Sequence, residues 1–93
     1  MQKMSEGEIA ESLATLDKWA EVGGEIQRTY QFDDFKGSIA FVNKVAEAAE
    51  EAQHHPDIMI RFNKVTLTLS THDAGGITAK DFDFAKTADS YKN

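Results

Sequence analysis

Three histidines, His54, His55 and His72, fall within 19 residues of one another. An imidazole, with an unperturbed pKa of ~6.5, keeps both protonation states available near neutrality. General acid/base catalysis by such a group is worth ~10²–10⁴ in rate. Carboxylates stand close by: Glu50 lies one helical turn before His54, and Asp73 follows His72. The plain structural alternative is that His54 and His55 end a helix, where an imidazolium favours the dipole, and that His72 ends a strand. A zinc site is a second chemical reading, because three imidazoles with Glu50 or Asp73 would supply nitrogen and oxygen ligands. Its spacing is poor. Adjacent histidines in a turn rarely aim both rings at one ion, and neither His-x-His nor His-x-x-x-His occurs.

The elements around the histidines set their relative position. Pro56 cannot continue a helix and disfavours helical geometry at His55, so the helix before it should end within residues 51–54. Beyond it, Ile58, Ile60 and Phe62 alternate with Met59 and Arg61, and Val65, Leu67 and Leu69 alternate with threonines. That pattern predicts two half-buried strands, over 58–62 and 65–69, turning at Asn63 and Lys64. In that register Phe62 faces Val65, Ile60 faces Leu67 and Ile58 faces Leu69, an entirely apolar face. The same register sets Asp57 opposite Ser70 and His55 opposite His72, β-carbons ~5 Å apart. His54 then neighbours Asp73.

The remaining pattern supplies the support. Ser5 and Glu8 have capping-box spacing, with Ile9, Leu13 and Leu16 behind them, predicting a helix over 6–17. Residues 19–22 and 25–32 flank Gly23 and Gly24 as a hairpin. Asp33 and Asp34 can cap a second helix. One stripe of that helix is Phe35, Ile39, Val42, Ala46 and Ala49, and a neighbouring one is Phe41, Val45, Ala48 and Ala52. Residues 73–76 read as a flexible loop. Thr78 and Asp81 then open a closing helix carrying Phe82, Phe84, Ala85, Ala88 and Tyr91. The expected fold is α+β: a four-stranded antiparallel sheet with three helices packed on one face, ordered α-β-β-α-β-β-α, and the site on the other face.

Composition bounds the function. A single domain over residues 1–93 without cysteine has neither disulfides nor thiolate metal sites, so self-association is the expected supplement to a small core. Sixteen acidic against ten basic residues, a formal charge of −6, disfavour direct binding to nucleic acid or anionic lipid. No 18-residue apolar run exists, and acidic residues interrupt the N-terminal stretch, so no membrane span and a cytoplasmic location are expected.

The stretch EEAQHHPDIMIRFNKVTLTLSTHDAGGITAKDF, residues 50–82, resembles the pterin-4a-carbinolamine dehydratases, also known as dimerisation cofactors of a homeodomain transcription factor. Glu50 four residues before His54, the His54, His55, Pro56 triplet with Asp57, then Asn63, Lys64, Val65, and Ser70, Thr71, His72 carry the likeness, with Gly76, Thr78 and Asp81. Upstream, Leu13, Leu16, Trp19, Phe32, Phe35 and Phe41 extend it over nearly the whole chain. Ile58 stands where the family often has tryptophan, Phe62 where it has tyrosine, and Gln53 where some members have aspartate. The resemblance implies dehydration of a 4a-hydroxytetrahydrobiopterin-like substrate to a quinonoid dihydropterin, with no cofactor or metal. It implies His54 and His72 as the acid/base pair and His55 chiefly holding the pterin. Glu50, Gln53, Pro56, Ser70, Thr71 and Asp73 would line the pocket. It further implies a homodimer or homotetramer and, as an alternative role, a non-enzymatic dimerisation or co-activator module.

Overall fold

In the computed structural model, which describes residues 2–92, the chain runs α1 (Glu6–Leu13), β1 (Ala20–Val22), β2 (Glu25–Gln31), α2 (Phe35–Ala52), β3 (Asp57–Arg61), β4 (Lys64–Leu69), a 3-10 turn (His72–Ala74) and α3 (Ala79–Ser90). The expected α-β-β-α-β-β-α order is present, with a 3-10 turn where a flexible loop was expected. Ser5 and Glu8 form the predicted capping box. Yet α1 stops at Leu13 rather than residue 17. Bonds of i to i+3 type, from the N–H groups of Thr15 and Leu16 to the carbonyls of Ser12 and Leu13, tighten the chain there. Leu16 and Trp19 are both buried beyond that bend.

The sheet is antiparallel throughout, in the order β1-β2-β4-β3, so β1 and β3 are its edges. Ile26 pairs with Leu69, Tyr30 with Val65, Ile58 with Leu67 and Ile60 with Val65. These residues share the helix-covered face because directly paired residues point the same way. From α2, Ser38, Phe41, Val45 and Ala49 meet that face, whereas Phe35, Ala46 and Ala52 remain exposed. The buried stripe is thus narrower than the two neighbouring ones expected, because the sheet covers a single side of the helix. Phe82, Phe84, Ala85 and Ala88 of α3 complete the core. Near the C-terminal end of α3, Asp89 accepts from Trp19 Nε1, Arg28 Nη1 and the Tyr30 hydroxyl, tying helix to sheet.

The β3–β4 hairpin differs from expectation by two residues in its pairing. Arg61 pairs with Lys64, so the turn is Phe62 and Asn63. Phe62, expected on the apolar face, is instead 66% exposed and holds a left-handed φ of 51°. The backbone is secured from outside: the Ser38 hydroxyl donates to the Phe62 carbonyl at 2.8 Å, and the Phe32 N–H donates to the Asn63 carbonyl at 2.8 Å. A two-residue slip leaves the other strand side chains on their original faces, so the strand assignments survive it apart from Phe62.

Candidate active site

The second face of the sheet is uncovered and polar. Gln27 pairs with Thr68, Thr29 with Thr66 and Asp57 with Thr68, and none of the side chains on it is fully buried. Cross-strand bonds organise this face, from Gln27 Nε2 to Thr68 Oγ1 at 3.1 Å and between the Thr29 and Thr66 hydroxyls at 2.8 Å. At its end, where the strands give way to the α2 exit and the 3-10 turn, lies a hollow of about 390 Å³ lined by Glu25, His55, Asp57, Thr68, Ser70 and His72. That volume falls within the range of ordinary small-molecule sites.

His55 reaches the hollow because α2 ends as Pro56 requires. Gln53 closes the helix in a left-handed conformation, φ 53° and ψ 43°, its N–H groups directed to the carbonyls of Ala49 and Glu50. The next residues run extended into β3. His55 Nε2 lies 2.6 Å from Glu50 Oε2. A carboxylate only accepts, so Nε2 is the donor in this bond, which in the neutral ring puts the acceptor at Nδ1. With both partners well exposed, the pair adds little stability and acts mainly on ring orientation.

His72 arrives differently. Backbone bonds from Thr71 N–H to the Gly76 carbonyl and from Gly76 N–H to the Thr71 carbonyl close a small loop, and His72 opens the 3-10 turn inside it. Continuing the observed β3–β4 register by two residues sets His55 beside Ser70, not His72. The two imidazoles meet at the hollow because the chain turns there.

His54 is elsewhere. It is 8% exposed, its ring edge-on to Phe84 and its Nε2 2.6 Å from Asp81 Oδ1. It borders a separate groove with Lys80, Asp83 and Thr87, and its neighbour is Asp81 rather than the expected Asp73. Asp81 is fully buried and fully engaged. Besides His54 it takes the Thr71 hydroxyl at 2.9 Å and the Thr78 N–H at 2.9 Å, while the Thr71 and Thr78 hydroxyls lie 2.7 Å apart. One carboxylate therefore joins the residue before His55 to the residue before His72.

Of the expected pocket residues, Ser70 lines the hollow and Glu50 borders it through His55, while Thr71 is buried on Asp81. Gln53 bonds back to the Glu50 carbonyl through Nε2, Pro56 is half-buried between α2 and β3, and Asp73 is exposed in the 3-10 turn. Glu25 and Thr68 were missed. Thr68 follows from the true register, but Glu25 enters only through β2 pairing with β4, which no local pattern announces. Asp81 was legible as a cap and not as the partner of His54. Among the described residues no group of three or more His, Cys, Asp or Glu is arranged to hold a metal ion, and no helix is long and apolar enough to cross a membrane.

Comparison with known proteins places the whole chain. The family model described as pterin 4 alpha carbinolamine dehydratase matches residues 2–91. A protein of Thermosynechococcus vestitus, provisionally named pterin-4-alpha-carbinolamine dehydratase, is 51% identical over 85 residues, covering 91% of this chain and 90% of that protein. One of Roseiflexus castenholzii with the same provisional name is 55% identical over 86 residues, covering 92% of each. The crystal structure of a transcriptional coactivator/pterin dehydratase from Brucella melitensis superposes with a TM-score of 0.95 at 32% identity, covering 99% of this chain and 100% of that one. A pterin dehydratase-like protein identified as a RuBisCO assembly factor in the alpha-carboxysome shares the fold, with a TM-score of 0.69 at 25% identity over 80% of this chain and 88% of its own. A family-model match over residues 2–91 and relatives at 51% and 55% identity over nine-tenths of the chain agree: the chain belongs to the pterin 4 alpha carbinolamine dehydratase family.

Proposed function

We propose that this chain is a cytoplasmic 4a-hydroxytetrahydropterin dehydratase, serving tetrahydrobiopterin recycling by imidazole acid/base catalysis, without metal or cofactor. The observation that carries the reading is the opening of His55 and His72, from two separate segments, onto one hollow on the uncovered sheet face. Family membership supplies the substrate class.

The reaction breaks the C4a–O bond and forms C4a=N5. One imidazolium gives a proton to the departing oxygen, which leaves as water, and a neutral imidazole takes the N5 proton. His55 and His72 are the two rings able to do this from the hollow. Glu50 fixes the tautomer of His55, and Ser70 and Thr68 offer hydroxyls to the ring edges of the pterin. The resemblance had implied His54 as partner of His72 and His55 as a holding residue. Burial of His54 against Asp81 and Phe84 favours exchanging those roles, with His54 positioning the α2 exit.

The test is direct. Purified protein added to freshly generated 4a-carbinolamine should accelerate its decay to quinonoid dihydropterin; a decay rate equal to the spontaneous one sinks the reading.

The second reading is an interaction module, favoured by one observation. The outer edge of β3 is unpaired, and Ile58, Met59 and Phe62 stand exposed along it, at 37%, 53% and 66%. An open apolar edge is a template for strand pairing. We assign this edge to self-association into a homodimer, the first step toward any tetramer, and the dehydration assay separates an enzyme from a module that only binds.

A further inference from the structure

We propose that Glu25 selects the pyrimidine end of the pterin, its carboxylate accepting in parallel from N3–H and the 2-amino group. The inference rests on the dehydratase reading above and concerns substrate choice at the same hollow.

Glu25 opens β2 immediately after the Gly23 and Gly24 turn. Its neighbour Ile26 pairs with Leu69 on the buried face, so Glu25 points to the uncovered face beside Ser70. The Ser70 hydroxyl donates to Glu25 Oε2 at 3.3 Å, which orients the carboxylate within the hollow. Glu25 comes from the β2 wall, whereas His55 precedes β3, and β4 lies between the two. Two strand spacings of ~4.8 Å separate those walls by ~10 Å, enough for a two-ring molecule lying across β4.

The substrate has two chemically distinct ends. The reacting C4a–N5 edge needs the imidazoles, and the far edge presents N3–H and the 2-amino group as adjacent donors. An acceptor pair of fixed geometry is the complement of that edge, and a carboxylate provides it as two parallel charge-assisted bonds. Two carboxylates line the hollow. Asp57 is exposed on the edge strand, two residues from His55, on the reacting side. Glu25 is half-buried, oriented by Ser70 and on the opposite wall, which makes it the candidate for the far edge.

The experiment uses the whole protein, with 7,8-dihydrobiopterin as a non-reacting ligand and its 2-desamino analogue as the control, each titrated by fluorescence. Wild-type protein should prefer the ligand with the 2-amino group. E25Q keeps the size of the side chain but turns a donor toward the ligand's donors, and should weaken dihydrobiopterin binding about tenfold or more. It should weaken the analogue, which keeps N3–H and lacks the second donor, by a smaller factor, and in turnover it should raise KM more than it lowers kcat. Wild-type protein that dehydrates the carbinolamine while E25Q binds both ligands like wild type would overturn the role of Glu25 alone. Wild-type protein that neither binds dihydrobiopterin nor accelerates dehydration would remove the dehydratase reading and this inference with it.

Discussion

His54 Nε2 lies 2.6 Å from Asp81 Oδ1, and the other oxygen of that carboxylate takes the Thr71 hydroxyl at 2.9 Å. Asp81 thereby holds together the residues that precede His55 and His72, one leaving α2 and the other leaving β4. It is also the third residue of α3 and accepts the Thr78 N–H at 2.9 Å in a capping box. Helix start and candidate site share one buried group.

Replacing Asp81 by asparagine should therefore act on both. The amide keeps one acceptor and turns a donor toward groups that themselves donate, at a cost of about 1–3 kcal/mol. Thermal denaturation should show the lower stability, and turnover should fall at a temperature where D81N remains folded. Wild-type turnover in a folded D81N protein would show that the link has no part in catalysis.

His55→Ala and His72→Ala should each lower kcat ~10²-fold or more, the scale of one general acid/base contribution. Neither ring is buried, so the melting temperature should scarcely move. His54→Ala should instead lower stability as well, because it strands a buried carboxylate without one of its donors. A His55→Ala enzyme with normal kcat and a raised KM would restore the family-based assignment of His55 to binding.

Metal removal should leave turnover unchanged. Dialysis against EDTA, followed by zinc addition, measures this; activity lost and then regained would require the three imidazoles to be reconsidered as ligands.

Alkali should weaken the fold through Tyr30. Burial, reinforced by the Asp89 carboxylate bonded to its hydroxyl, pushes the phenol well above its ordinary value of 10.0. Above pH 10 the unfolded chain releases that proton while the folded chain retains it, so unfolding gains relative to folding. The contribution is fully present below pH 10 and is lost as pH rises beyond it. Denaturant titrations from pH 8 to pH 11 should show stability falling more steeply in wild type than in Tyr30→Phe; parallel curves would refute the linkage.

The β3 edge should set the oligomeric state. Met59→Lys places a charge on the exposed edge strand and should shift sedimentation of micromolar protein toward monomer. A wild-type chain that already sediments as a monomer at every concentration removes the self-association proposal.

Much was legible in the sequence because it depends on near neighbours. Alternation at Ile58 and Ile60 and at Val65, Leu67 and Leu69 specifies half-buried strands whatever they pair with. Ser5 with Glu8 and Thr78 with Asp81 are complete capping boxes within four residues, and Pro56 stops α2 through its own ring. The three histidines are similarly visible as a set, since spacing and chemistry belong to the chain itself.

The register and the surroundings of the individual imidazoles were decided by the tertiary structure. Pairing strands of period two leaves registers two residues apart equally apolar, so patterning alone could not separate a turn at Asn63 and Lys64 from one at Phe62 and Asn63. The choice is made by the Ser38 hydroxyl and the Phe32 backbone, 24 and 31 residues away from their turn partners. The fates of His54 and His55 diverge for the same kind of reason. Adjacent in sequence and identical in chemistry, they meet different surroundings beyond the helix, and only the placement of α3 gives His54 a buried carboxylate while His55 is left facing the hollow.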